Sequence, residues 1–206
     1  MHIRILLLFS VAILFSCCKE KTDYYSLSSL SNSNDVNAVI EISAGTNKKV
    51  EYNKETKVFE IDKKNGKERV IKFLPYLGNY GFIPSTYSDP NKGGDGDALD
   101  ILVLSESAKI GDVIETVPIA ILKLIDDGEI DYKIISVPSD RNNRIIDVDN
   151  FKDFNKNYAE VKLIIETWFL NYNKLDKAQI DGWGDEKEAL DEINKVKKVS
   201  FNKNSE

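Results

Sequence analysis

The chain has 206 residues and a formal net charge of −6, with 28 basic and 34 acidic side chains scattered along it. That length holds one domain with a sizeable core plus accessories, and no basic stripe marks a nucleic-acid surface. Its one histidine, His2, and its two cysteines, Cys17 and Cys18, lie near the N-terminus, so the body of the chain has no Ser-His-Asp triad, Cys-His pair or ordinary zinc site to offer. Chemistry must come from carboxylates, Lys, Arg, Tyr and hydroxyls, and oxygen ligands suit hard cations such as Mg²⁺, Mn²⁺ or Ca²⁺.

The N-terminus begins with Arg4 and an apolar run from Ile5 to Phe15 interrupted by Ser10. The run is short for a hydrocarbon core of ~30 Å but suits the h-region of a signal peptide. Leu14-Phe15-Ser16-Cys17 resembles a bacterial lipoprotein signal. The expectation is removal of residues 1–16, a lipid on Cys17, and a protein anchored to a membrane of the cell envelope outside the cytoplasm. Residues 17–37, rich in Ser and Asn, are expected to form a flexible tether ahead of a domain covering residues 38–206.

From Ala38 the pattern is strand-like. "VIEIS" alternates, "KKVEYN" puts Lys49 and Glu51 on one face, and "KVFEID" and "ERVIKF" flank the turn "KKNGK". "ALDILVL", "PIAILKLI" and "IDYKIISV" follow, the last two joined by the hairpin signal Asp127-Gly128. Helix comes late. "NYAEVKLIIETWFLNY" aligns Tyr158, Val161, Ile165, Trp168 and Tyr172, with Asn157 and Glu160 as a capping box, and "DEKEALDEINKV" repeats the pattern with Asp185 and Glu188. Strands followed by helices predict a mostly β, α+β domain: a barrel or strongly curved sheet with helices packed outside.

Within this frame "KGGDGDALDILVL" crowds Asp95, Asp97 and Asp100 into a glycine-rich turn that runs into a strand. By alternation Asp100 shares its face with Leu102 and Leu104, where a carboxylate is costly unless something neutralises it. A metal would do so. An EF-hand is excluded, since Asp100 stands where that loop needs its central glycine, whereas a structural Ca²⁺ site stays open on spacing alone. A second group comprises Asp126, Asp131 and Lys133, and a third Glu41, Lys49 and Glu51; each alone reads as an ordinary charged strand or hairpin.

Together these segments resemble family I soluble inorganic pyrophosphatases. "DGDALD" is similar to that family's D-x-D-x-x-D signature, "YLGNYGFIP" to its tyrosine-bearing segment, and "VIEI", "KVEY", "ERVI" and "DDGEIDYK" fall in its order. The resemblance implies an OB-like five-stranded β-barrel and hydrolysis of inorganic pyrophosphate to two phosphates by a Mg²⁺-dependent enzyme, with several ions per site and Mn²⁺ as a substitute. It implies that Asp95, Asp100, Asp126 and Asp131 hold metal and that Asp97 is the general base. Lys49, Arg69, Tyr80, Lys133 and Tyr172 would grip the phosphates, with Glu41, Glu51 and Tyr76 in support. It also implies a homo-oligomer.

The chain departs from the family's pattern in several places, among them a one-residue deletion between Arg69 and Tyr76 and a shortened "AQIDGWG". Ala98 stands where Pro or Glu is usual, and Asn173 follows Tyr172 where the family commonly has a phosphate-binding lysine, so that either Lys174 or Lys177 reaches instead or one phosphate contact is lost and substrate binding weakens. The alternative function is a non-catalytic surface lipoprotein that binds metal or a partner on the same fold.

Overall fold

The computed structural model describes residues 21–173 and 177–198. The signal segment, Cys17 and Lys174 lie outside the described residues. Among those described, no helix is long and apolar enough to cross a membrane.

In chain order the strands are β1 (Val36–Ile42), β2 (Val50–Asn53), β3 (Val58–Ile61), β4 (Lys63–Lys64), β5 (Lys67–Glu68), β6 (Asn79–Phe82), β7 (Asp100–Val103), β8 (Val113–Asp126), β9 (Glu129–Ile130) and β10 (Lys133–Pro138). Helices α1 (Phe151–Asn157) and α2 (Ala159–Asn171), strand β11 (Gln179–Gly184) and helix α3 (Glu186–Val196) follow. The main sheet runs β1-β6-β7-β10-β8-β11, and β1 also pairs with β8. The pairing therefore returns to its start through five strands, as the OB-like reading expects. β10 and β7 run parallel; the other pairs in the circuit are antiparallel.

Alternation along these strands produces two apolar faces. Leu102, Leu122 and Ile135 pack with Phe154, Ile165, Trp168 and Phe169 from α1 and α2. Their neighbours Ile101, Ile121 and Ile134 pack with Ala189 and Ile193 of α3. Gly81 faces Ile40 across β6 and β1. A Cβ at Gly81 would lie 1.8 Å from the Val39 carbonyl oxygen, so only glycine fits there.

Several expectations hold. Asp127 and Gly128 take positive φ, 48° and 92°, and connect β8 to β9. Asn65 and Gly66 do the same, at 55° and 74°, between β4 and β5. Asp185 caps α3 by accepting the Glu188 N–H at 2.9 Å.

Others need correction. "ERVIKF" is barely a strand: β5 ends at Glu68, and Val70 makes only an isolated bridge to Lys48. The Asn157 capping box is absent. Asn150 caps α1 instead, accepting the Asp153 N–H at 2.8 Å, and α2 starts after Tyr158 with no side-chain cap. Nor does the tether extend to residue 37. Tyr24–Ser26 form a 3-10 turn, Tyr24, Tyr25 and Leu27 pack with Val39, Tyr52 and Phe82, and the Tyr52 hydroxyl donates to the Thr22 carbonyl at 2.8 Å. Two aromatic rings in the Ser-rich stretch supply the apolar area that holds it down.

Candidate active site

The ends of the barrel strands deliver charge to one place. β1 brings Glu41, β2 brings Glu51 with Lys49 just before it, β6 brings Tyr80, β7 opens on Asp100, and β8 ends in Asp126. The turn before β7 adds Asp95 and Asp97, the step into β10 adds Asp131 and Lys133, and the end of α2 adds Tyr172. All of these, with Arg69 and Tyr76, line one cavity of about 750 Å³. The expected carboxylates, tyrosines, Lys49, Arg69 and Lys133 are thus brought together, while Cys17 and Lys174 lie outside the described residues.

Lys133 is the centre of the arrangement. It is only 3 % exposed and stands opposite Asp100 in the parallel β7–β10 register. Its ammonium pairs with both Asp100 and Asp131, and the Tyr80 hydroxyl donates to Asp100. Burial works against the Lys133 charge, but the two carboxylates outweigh it and raise its pKa above the ordinary lysine range. Asp100 is raised by burial, against the pull of Lys133, with repulsion from Asp131 adding to the rise. Asp95 is pushed up to about 6 by burial, opposed by the Asp97 N–H, with repulsion from Asp100 and Asp131 on the same side.

Around this centre the other groups are fixed in pairs. Lys49 meets Glu51 at 2.7 Å and Arg69 meets Asp62 at 2.8 Å. Glu41 accepts the Tyr52 N–H at 2.7 Å, and burial lifts it to about 8 despite that bond. Tyr172 stacks on Trp168 with centroids 4.7 Å apart, and Trp168 packs in turn on Tyr76. The Asp95 carboxylate accepts the Asp97 N–H at 3.0 Å, closing the acidic turn. Asp97 is exposed and pairs with Lys54 at 3.1 Å.

Lys54 carries no signal of a site residue in the sequence, nor do Lys64 and Tyr25, and Asp127 reads there only as a hairpin residue; all four line the cavity. Lys54 sits in the turn "NKETK" after β2, a signal for a turn and nothing more. Lys177 is not among the lining residues. Lys54 and Lys64 supply cationic side chains there, although Asn173 carries none.

Among the described residues no three acidic side chains converge as a ready-made ion cage. The donor set nonetheless fits a hard divalent cation. Asp95, Asp97, Asp100, Asp126 and Asp131 face one cavity, all with oxygen donors. The raised Asp95 and Asp100 mark carboxylates whose charge is costly until a cation shares it. The Lys133 ammonium already plays that part between Asp100 and Asp131, and an ion there would share the same oxygens.

A protein-family model described as "Inorganic pyrophosphatase" matches residues 38–200. The chain belongs to the inorganic pyrophosphatase family. It is 37 % identical over 159 residues to the inorganic pyrophosphatase of Neisseria meningitidis serogroup B, covering 75 % of this chain and 82 % of that one. It is also 37 % identical over 171 residues to the enzyme of Sulfolobus acidocaldarius, covering 80 % and 91 %. The crystal structure of the Thermus thermophilus pyrophosphatase superposes with a TM-score of 0.73 at 30 % identity, covering 85 % of this chain and 97 % of that one. This pyrophosphatase family uses divalent metals, consistent with the oxygen-rich cavity.

Proposed function

We infer that this chain hydrolyses inorganic pyrophosphate to two phosphates, with Asp97 as the general base. The observation that carries the reading is the lining of one cavity by six aspartates together with Lys49, Arg69 and Lys133 in a chain of this family. Pyrophosphate is a small polyanion that repels a nucleophile, so a site must neutralise it before water can attack.

Lys49, Arg69 and Lys133 place fixed positive charge along the cavity, and the Tyr172 hydroxyl, with that of Tyr80 once it turns from Asp100, offers hydrogen bonds to phosphate oxygens. Asp97, on its exposed turn, takes the proton of the attacking water. Glu41, Glu51 and Tyr76 orient these groups. Asp95, Asp100, Asp126 and Asp131 would hold divalent cations, whose charge would add to the neutralisation and make a bound water more acidic. Mg²⁺ is the proposed ion, with Mn²⁺ as a substitute. The non-catalytic lipoprotein considered from the sequence has no observation of its own in its favour.

The deciding assay is phosphate release from pyrophosphate by the full chain, with Mg²⁺ and then with excess EDTA. Release that stops on chelation is the expected result; a folded chain that releases no phosphate with any divalent ion would overturn the reading.

The cell-envelope location and lipid anchor are supported by Arg4, the apolar run and Cys17. Labelled fatty acid that is taken up equally by C17A would remove Cys17 as its site. A homo-oligomer is supported by α2, whose Leu163, Ile164 and Leu170 are exposed. Light scattering that returns the monomer mass of 23.3 kDa would refute it.

A further inference from the structure

The family match begins at residue 38, yet one residue lining the cavity, Tyr25, comes from before it. Tyr25 lies in the segment that packs on the barrel. Its carbonyl accepts the Ser85 N–H at 3.0 Å, and Ser85 Oγ donates to the Leu27 carbonyl at 2.7 Å. The Tyr25 ring stacks on Phe82, with centroids 4.4 Å apart and planes at 12°. Phe82 stands opposite Asp100 in the β6–β7 register, so the ring is set against the frame of the site.

The outer side of that ring carries Lys54, with Nζ 4.6 Å from the centroid. The same ammonium lies 3.1 Å from Asp97 Oδ1. Asp97 sits on an exposed glycine-rich turn, where a short side chain has no packing to choose its rotamer. An aromatic face that attracts the ammonium limits where Lys54 can go, and Lys54 in turn holds one Asp97 oxygen, leaving the other for water.

We propose that Tyr25 is a positioning residue for pyrophosphate hydrolysis, holding Lys54 where its ammonium orients Asp97. This rests on the reading of Asp97 as the general base. The segment ahead of the family domain is then a working part of the site.

The test is steady-state pyrophosphate hydrolysis by the full chain with Mg²⁺, comparing wild type with Y25L, Y25F, K54M, Y25L/K54M and D97N. An exposed ion pair is a modest restraint, so Y25L and K54M should each lose about three- to tenfold in kcat, with KM within about twofold. Y25F, which keeps the ring, should restore most of the loss. The double variant should be no worse than K54M alone, because Tyr25 acts through Lys54. A raised KM with intact kcat would make Lys54 a substrate ligand and overturn the proposal. So would losses that multiply in the double variant, or a Y25F as impaired as Y25L. D97N separates the two levels. Wild-type turnover there removes Asp97 as base and this proposal with it, whereas an inactive D97N beside unaffected Y25L and K54M removes the proposal alone.

Discussion

Replacing Asp97 with Asn should abolish nearly all turnover while leaving the fold in place. The carboxamide keeps the shape and can still face Lys54, but it cannot take a proton from water. A positioned general base typically contributes about 10²–10⁴-fold, and a loss of that order in kcat is expected. Stability should hardly move. Asp97 is 67 % exposed and Lys54 50 %, so their ion pair contributes at most about 1 kcal/mol. Phosphate release and a thermal melt on the same preparation check both halves. D97N at wild-type activity would end the assignment; D97N that fails to fold would show that the turn depends on this carboxylate for structure.

Lys133→Met should act through the opposite route, on stability first. Its removal leaves Asp100 and Asp131 facing each other with no ammonium between them. Breaking a buried pair by deleting one partner typically costs about 3–5 kcal/mol. For a chain of this size that is a fall of roughly 10 °C in Tm, measured in EDTA. Divalent cation should narrow the gap, since it neutralises the same oxygens. Acid should narrow it as well. Asp100, raised by burial, takes up a proton more readily than an ordinary aspartate, and the stranded charge disappears. The sign for Lys133 itself is the reverse. Its raised pKa means that its contribution is complete below the free-lysine range and fades only as pH climbs through the folded value, so neutral pH shows the full deficit. A K133M melt within about 2 °C of wild type in EDTA would mean the pair holds nothing together. Turnover should fall in either case, because a cation proposed to face the phosphates is gone.

The sequence carried the acidic half of this site openly and the rest of it poorly, for physical reasons. Asp95, Asp97 and Asp100 are local to one turn, and Asp131 and Lys133 to one strand face, so spacing alone set them side by side. Lys54 and Tyr25 meet Asp97 only through the fold, across 43 residues in the case of Lys54, and neither has a local signature. Tyr25 was also hidden by its Ser-rich neighbours, whose polarity outweighs two tyrosines when composition is averaged.

The strands that the pattern did not show were hidden for reasons of their own. β6 is buried along its whole length, so it shows no alternation. β11 has a register shift between Ile180 and Trp183, with Gly182 at φ 103° between them, and this breaks its period. The first residues of β8 contain Glu115, which reads as loop, although the strand continues unbroken from Val113. In the helical region Tyr158 has φ −137° and ψ 38°, a break that periodicity runs straight across.

Because β8 returns to pair with β1, Val36 to Val39 must wait for Val113 to Thr116, nearly eighty residues later, before the circuit closes. Contacts so far apart in the chain are slow to form, since the loop entropy is lost before the pairing rewards it. Glu41 comes from the first strand of that circuit and Tyr172 from a helix beyond it. No shortened nascent chain therefore owns a partial cavity with partial activity. During refolding, recovery of turnover should trail the early appearance of helix and coincide with final closure, which makes catalysis itself the reporter of the finished barrel.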